Sequence, residues 1–157
     1  MEIFLLRSII DDVILLLNYK AMKSSVEIKV NGDNEISTFN NPLEFQQIIC
    51  NLVSNAIDAY EDKEMSRDKK KVVINVSLKN KVIFIEVIDS GKGIHPNIIS
   101  NIYEPFYSSK DPSKGMGLGL STTKRLVEKN FNGSIRVETV LGAGTRFIIA
   151  FPQTELC

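Results

Sequence analysis

The chain is most constrained by two strand-like runs that nearly touch. Val72 to Leu78 and Val82 to Asp89 are rich in β-branched residues and are separated only by Lys79-Asn80-Lys81. A connection this short cannot cross over a sheet, so the two runs form an antiparallel hairpin and read as central strands. That excludes a regular alternation of strands and helices in a doubly wound parallel sheet. Any glycine loop in the chain must be interpreted under that restriction.

The flanking segments supply the other layer. Leu6, Ile9, Ile10, Val13, Ile14 and Leu17 recur at three- and four-residue steps, which predicts a helix over 4–21 with one apolar stripe. Val26, Ile28 and Val30 alternate with Glu27 and Lys29 as in a half-buried strand, Gly32-Asp33 turns the chain, and a short strand is expected near 36–39. Asn41-Pro42-Leu43-Glu44 combines a capping residue, a proline at the first helical position and a carboxylate three residues after the cap. The helix that starts there should reach about Tyr60, with Phe45, Ile48, Ile49, Leu52, Val53, Ala56, Ile57 and Tyr60 on its core face. Residues 61–71 read as a charged connector. A second long helix is expected over 118–131, ended by Asn132-Gly133, followed by strands over 134–140 and 144–151 that meet at Gly142-Ala143-Gly144. Together these elements predict one domain over 1–157, a two-layer α/β sandwich with about five strands in a mixed sheet and three main helices on one face.

Composition narrows the partners. Lys and Arg total 19 and Asp and Glu total 19, so no net field draws the chain to nucleic acid or to an anionic membrane. The apolar N-terminal stretch is broken by Arg7, Asp11 and Asp12, which argues against a signal peptide and a spanning helix and places the domain in the cytosol. Cys50 and Cys157 have no metal-ligand spacing and read as reduced thiols.

Three clusters carry chemistry. Asn51 and Asn55 lie four residues apart on one helix face, roughly 6 Å along the axis, and amide oxygens of this kind suit a Mg²⁺ ion that takes its other oxygens from phosphates and water. Solvated surface amides are the plain alternative. Ile88-Asp89-Ser90-Gly91-Lys92-Gly93-Ile94 ends an apolar strand in a carboxylate and two glycines, so a flat ligand can touch backbone while Asp89 accepts a hydrogen bond from an exocyclic amine. Such a carboxylate favours adenine over guanine, although a tight turn alone also explains the pattern. Gly115-Met116-Gly117-Leu118-Gly119-Leu120 opens into a helix whose free N–H groups attract phosphate, or is simply a flexible helix entry. It fits neither the Walker loop nor the dinucleotide fingerprint. Residues 90–117, rich in Gly, Pro, Ser and Lys with one short helical stretch after Pro96, read as a loop that closes over a ligand.

In order along the chain these blocks resemble the GHKL ATPases, which include histidine kinases, type II topoisomerases, MutL proteins and heat-shock chaperones. Glu44 to Ala56 resembles the N box, Asp89 to Ile94 the G1 box, Glu104-Pro105-Phe106-Tyr107-Ser108-Ser109-Lys110 the F box and Gly115 to Leu120 the G2 box, with Gly142-Ala143-Gly144-Thr145-Arg146-Phe147 fitting the closing strand. The F box is similar to that of sensor histidine kinases. The resemblance implies a Bergerat-type fold with a flexible ATP lid over about 103–117, Mg-ATP as ligand, and transfer of the γ-phosphate to a histidine on a separate dimerization domain of the same full-length kinase, with a response regulator downstream. It implies nucleotide contacts at Asn51, Asn55, Asp89, Gly91, Gly93, Ile94, Phe106, Lys110, Gly115, Gly117, Leu118, Gly119, Leu120 and Thr145. Asn55 resembles the metal ligand, Asp89 the adenine anchor and Thr145 a residue that binds the adenine-side water, while Lys110 would reach phosphate from the lid. Hydrolysing members carry a Glu as general base at the position of Asn51; an amide there cannot take a proton, which suits a kinase that awaits an external nucleophile. Asn51 and Lys110 are therefore the expected catalytic positions.

His95, the single histidine, is followed by Pro96 and reads as a solvated turn residue, so the phosphoacceptor domain is expected to lie outside this chain. A serine-directed anti-sigma-type kinase, or a module that uses ATP as a conformational switch, shares the fold and is the alternative. A clamp ATPase is disfavoured by Asn51 and the F box.

Overall fold

The computed structural model describes residues 1–61, 69–105 and 119–155. The order of elements is β1 (Glu2–Leu5), α1 (Leu6–Lys23), β2 (Glu27–Gly32), β3 (Ser37–Asn40), α2 (Pro42–Asp58), β4 (Lys71–Lys79), β5 (Val82–Asp89), a 3₁₀ turn (Ile99–Asn101), α3 (Gly119–Arg125), a π-helical turn (Leu126–Asn130), β6 (Ser134–Val140) and β7 (Gly144–Pro152). The main sheet has five strands in the order β2-β4-β5-β7-β6. Only β2 and β4 run parallel; the remaining pairs are antiparallel, so the sheet is mixed as expected.

The hairpin forms where the sequence put it. Val82 pairs with Lys79, and Asn80 and Lys81 take φ of +53° and +62°, the two left-handed residues of a turn whose twist matches that of the strands. Helix α2 also begins as its cap dictates: the Asn41 side chain accepts from the Leu43 and Glu44 N–H groups, and Pro42 occupies the first turn.

Side chains at alternate positions separate the two faces of the sheet. Val72, Ile74 and Val76, then Ile83, Ile85 and Val87, then Phe147, Ile149 and Phe151 point into a core shared with Phe45, Ile48, Ile49, Leu52 and Val53 of α2 and with Leu6, Ile10 and Val13 of α1. Phe45 is fully buried, and its ring lies 5.6 Å from Phe4, 6.3 Å from Phe131 and 6.3 Å from Phe151, so one aromatic cluster joins both layers. On the opposite face Arg146 Nε meets Glu86 at 2.8 Å and Glu138 at 3.4 Å, the ion pairs of a surface that faces water.

Two expectations need correction. Residues 4 and 5 are not the start of the first helix. They belong to β1, which pairs antiparallel with β3 in a separate two-stranded sheet, Phe4 opposite Thr38. An unbroken apolar run fits either a helix or a strand, and β3, distant in sequence, decides for the strand. Among the described residues the predicted 118–131 helix is α-helical over Gly119–Arg125 and then widens into the π-helical turn, where Phe131 N–H bonds to Leu126 O five residues back. Asn132 does end it, at φ +54°. Among the described residues no helix is long and apolar enough to cross a membrane.

Candidate functional site

At the end of β5 the core gives way to polar side chains. Asp89 pairs with Thr145 across β5–β7, and Thr145 pairs with Thr139 across β7–β6. The three therefore form a row on the face of the sheet that carries the helices. Asp89 is 7% and Thr145 6% exposed, so these polar groups are buried at the open end of the sandwich. The Asp89 carboxylate accepts from Gly91 N–H at 2.9 Å.

The loop after Asp89 is fixed from two sides. Toward α2, Lys92 N–H donates to Ala59 O at 2.8 Å and Ser90 N–H donates to the Tyr60 hydroxyl at 2.7 Å. The same hydroxyl donates to Lys71 O at 2.5 Å and accepts from Lys71 N–H at 3.2 Å, so Tyr60 clamps the end of α2, the start of β4 and the loop together. Toward the β6–β7 turn, Gly142 N–H donates to Lys92 O at 2.7 Å and Ile94 N–H to Thr139 Oγ1 at 2.9 Å. The glycines permit this closeness. A Cβ on Gly91 would stand 2.4 Å from Ala59 O, and Gly93, at φ +73°, would place one 2.3 Å from Val140 O.

The α2 side of the site carries Asn51 and Asn55, both half-buried. Asn51 Nδ2 donates to Gly119 O at 3.1 Å and to Thr123 Oγ1 at 3.2 Å, and Thr123 in turn donates to Gly119 O at 2.7 Å. The amino group of Asn51 is thus engaged by the first turn of α3, and the side-chain oxygen faces other partners. Gly119 and Leu120 begin that helix and are half-buried.

The fold brings Asp89, Gly91, Gly93, Ile94 and Thr145 together on one loop and strand pair, and places Asn51 and Asn55 on α2 and Gly119 and Leu120 on α3. Phe106, Lys110, Gly115, Gly117 and Leu118, and with them most of the expected lid, lie outside the described residues. So do residues 62–68 of the charged connector and Cys157. His95 is exposed, its Nδ1 accepting from Asn97 N–H at 3.1 Å, as expected of a turn residue. Cys50 is a free thiol; burial pushes its pKa up and the Lys20 ammonium partly opposes this. Tyr60, Thr123 and Thr139 escaped the sequence reading. Tyr60 was visible only as a core position, and the threonines gain meaning from strand register and helix contact, which no local pattern encodes.

Comparison with known proteins completes the picture. A model of the "Histidine kinase-, DNA gyrase B-, and HSP90-like ATPase" family matches residues 40–155, most of the chain. The chain belongs to this family. Sporulation kinase A of Bacillus subtilis is 30% identical over 149 residues, 94% of this chain but 23% of that protein. The catalytic domain of the histidine kinase ThkA superposes with a TM-score of 0.82 at 27% identity, covering 98% of this chain and 97% of that one. ThkA in complex with the response regulator protein TrrA matches with a TM-score of 0.77 at 26% identity, over 97% of this chain and 41% of that chain. The fold and the relatives together make this a sensor histidine kinase ATP-binding catalytic domain with the two-layer GHKL architecture. The chain spans between 6% and 23% of the length of the first curated relatives it matches.

Proposed function

We propose that this domain binds Mg-ATP and donates its γ-phosphate to a histidine on a separate dimerization domain of the same kinase, from which a response regulator receives it. The observation that carries this reading is the buried pair Asp89–Thr145 at the open end of the sheet, on a loop stitched to both α2 and the β6–β7 turn. A preformed site of this kind loses little ordering entropy on binding a flat, rigid base.

The roles follow from the donors and acceptors present. Asp89 accepts the exocyclic amine of adenine with one carboxylate oxygen while Gly91 N–H holds the other in place. Thr145 shares the base-side water with it. Gly93 and Ile94 offer backbone to the ring, and the first turn of α3 at Gly119 and Leu120 offers its N–H groups to phosphate. Asn55 would supply an amide oxygen to Mg²⁺, which when bound would offset the charge of the phosphates. The fit is chemical: the Asn55 amide oxygen is a hard, neutral donor on a half-buried helix face, of the kind that suits an ion taking its remaining oxygens from phosphate and water. Lys110, Phe106, Gly115, Gly117 and Leu118 would complete the phosphate side.

Asn51 offers an oxygen but no base. Its amino group is held by α3, and an amide oxygen does not take up a proton near neutral pH, so water is not activated and the phosphoryl group waits for an imidazole from outside. The likeness to ThkA, whose complex with a response regulator is known, supports the downstream partner.

Calorimetric titration should give saturable Mg-ATP binding that Asp89→Asn weakens by about tenfold or more. Mixed with labelled ATP and the dimerization domain of the full-length kinase, the protein should label that domain's histidine. Brisk ATP hydrolysis by the protein alone, abolished by Asp89→Asn, would refute the Asn51 argument, and stable label on His95 would refute the need for an external acceptor.

A further inference from the structure

Thr139 occupies the outer end of the Asp89–Thr145–Thr139 row, on β6 and one strand removed from Asp89. Its Oγ1 lies 2.9 Å from Ile94 N, 3.0 Å from Gly144 O and 2.9 Å from Thr145 Oγ1. A hydroxyl has one proton and two acceptor sites. The Gly144 carbonyl can only accept, so the Thr139 proton goes to it. The Ile94 N–H can only donate, so it fills one acceptor site. What remains for Thr145 is the second acceptor site, and Thr145 must therefore be the donor in their contact.

We propose that Thr139 is a specificity-determining positioning residue: it holds the Thr145 proton, so that Thr145 and Asp89 together present only acceptor atoms to the nucleotide base. Such a row favours a base edge that carries an amino group and penalises one that carries a carbonyl oxygen, because two facing acceptors leave each other unsatisfied. At position 6 adenine has an amino group and guanine a carbonyl. The inference rests on the reading of Asp89 and Thr145 as the base-facing side of an ATP site. It adds a residue that touches no ligand and works through a neighbouring hydroxyl.

Removing the Thr139 hydroxyl frees the Thr145 proton to turn toward the base, converting an acceptor-only row into a mixed one that tolerates a carbonyl. The test titrates the 157-residue protein with Mg-ATP and Mg-GTP and reads the ratio of the two affinities. Thr139→Val should lower that ratio by about tenfold, the equivalent of one neutral hydrogen bond. Thr139→Ser, which keeps the hydroxyl, should restore it. In a Thr145→Ala background Thr139→Val should change the ratio by less than about twofold, because the residue through which it acts is gone. Thermal melts confirm folding, with Thr139→Ala as the second probe if the valine variant does not fold.

A Thr139→Val protein that weakens both nucleotides equally, or that shifts the ratio as strongly without Thr145, overturns the proposal. The two readings separate through Asp89→Asn. A ratio that collapses in Asp89→Asn but survives Thr139→Val overturns the role of Thr139 alone. A wild-type ratio that Asp89→Asn leaves intact overturns the base-facing assignment of the row, and the role of Thr139 with it.

Discussion

Gly91→Ala tests how tightly the site loop is packed on the end of α2. The new Cβ would stand 2.4 Å from Ala59 O, 2.6 Å from Ala59 C and 2.6 Å from Ala59 Cβ, where ordinary contact begins at 3.4 Å. Two of these three atoms are backbone and cannot rotate away, so loop and helix must separate by roughly 1 Å. That separation stretches the 2.8 Å bond from Lys92 N–H to Ala59 O beyond hydrogen-bonding range. Overpacking of this kind costs ~1–3 kcal/mol and the lost bond ~1 kcal/mol, so the expected destabilisation is about 3 kcal/mol. For a chain of this size the melting temperature should fall by about 6–12 °C. Urea unfolding should show the midpoint reduced and the slope unchanged, the sign of a stability change without a change in the surface exposed. Ala59→Gly removes only one of the three clashes, so the double variant should recover part of the loss. A single variant that melts within about 1 °C of the parent would refute the packing argument, as would a complete rescue by Ala59→Gly.

Other consequences follow from the same geometry. Tyr60→Phe removes a hydroxyl that makes three bonds to Lys71 and Ser90; it should cost about 2 kcal/mol in urea unfolding and weaken Mg-ATP binding, because the loop after Asp89 loses an anchor. Asn51→Asp sets a carboxylate oxygen against Gly119 O and forfeits the amino group that donates to α3, so ~1–3 kcal/mol of stability should be lost, measured by the same unfolding. The Tyr103 hydroxyl is buried and has no hydrogen-bond partner among the described residues, and burial, with Glu128 adding to it, pushes its pKa up to about 12. The folded protein therefore holds this proton more firmly than the unfolded chain, whose tyrosine titrates near its ordinary value of about 10, and stability should fall as pH rises between the two values. Unfolding midpoints taken across that alkaline range should show a drop that Tyr103→Phe reduces, and an equal drop in both proteins would refute the assignment.

Where local chemistry sufficed, the sequence alone was enough. Asn41 and Pro42 fixed the start of α2 because a cap and a first-turn proline satisfy or remove orphan N–H groups without help from elsewhere. The spacing of the two β-rich runs fixed the β4–β5 hairpin because a short turn admits few geometries. The ordered blocks around Asn51, Asp89 and Gly119 announced the family, since each is a contiguous string of residues.

Pairing between distant segments was decided by tertiary structure. Residues 3–5 carry an apolar run compatible with either periodicity, and only the presence of Ser37–Asn40 alongside makes them a strand. The polar row at the site has the same character. Asp89, Thr145 and Thr139 come from three strands whose register, not whose spacing in the chain, sets them side by side. A strand's two-residue period tells which face a side chain takes but not which residue it will meet there, and the direction of the Thr145 proton depends on that meeting.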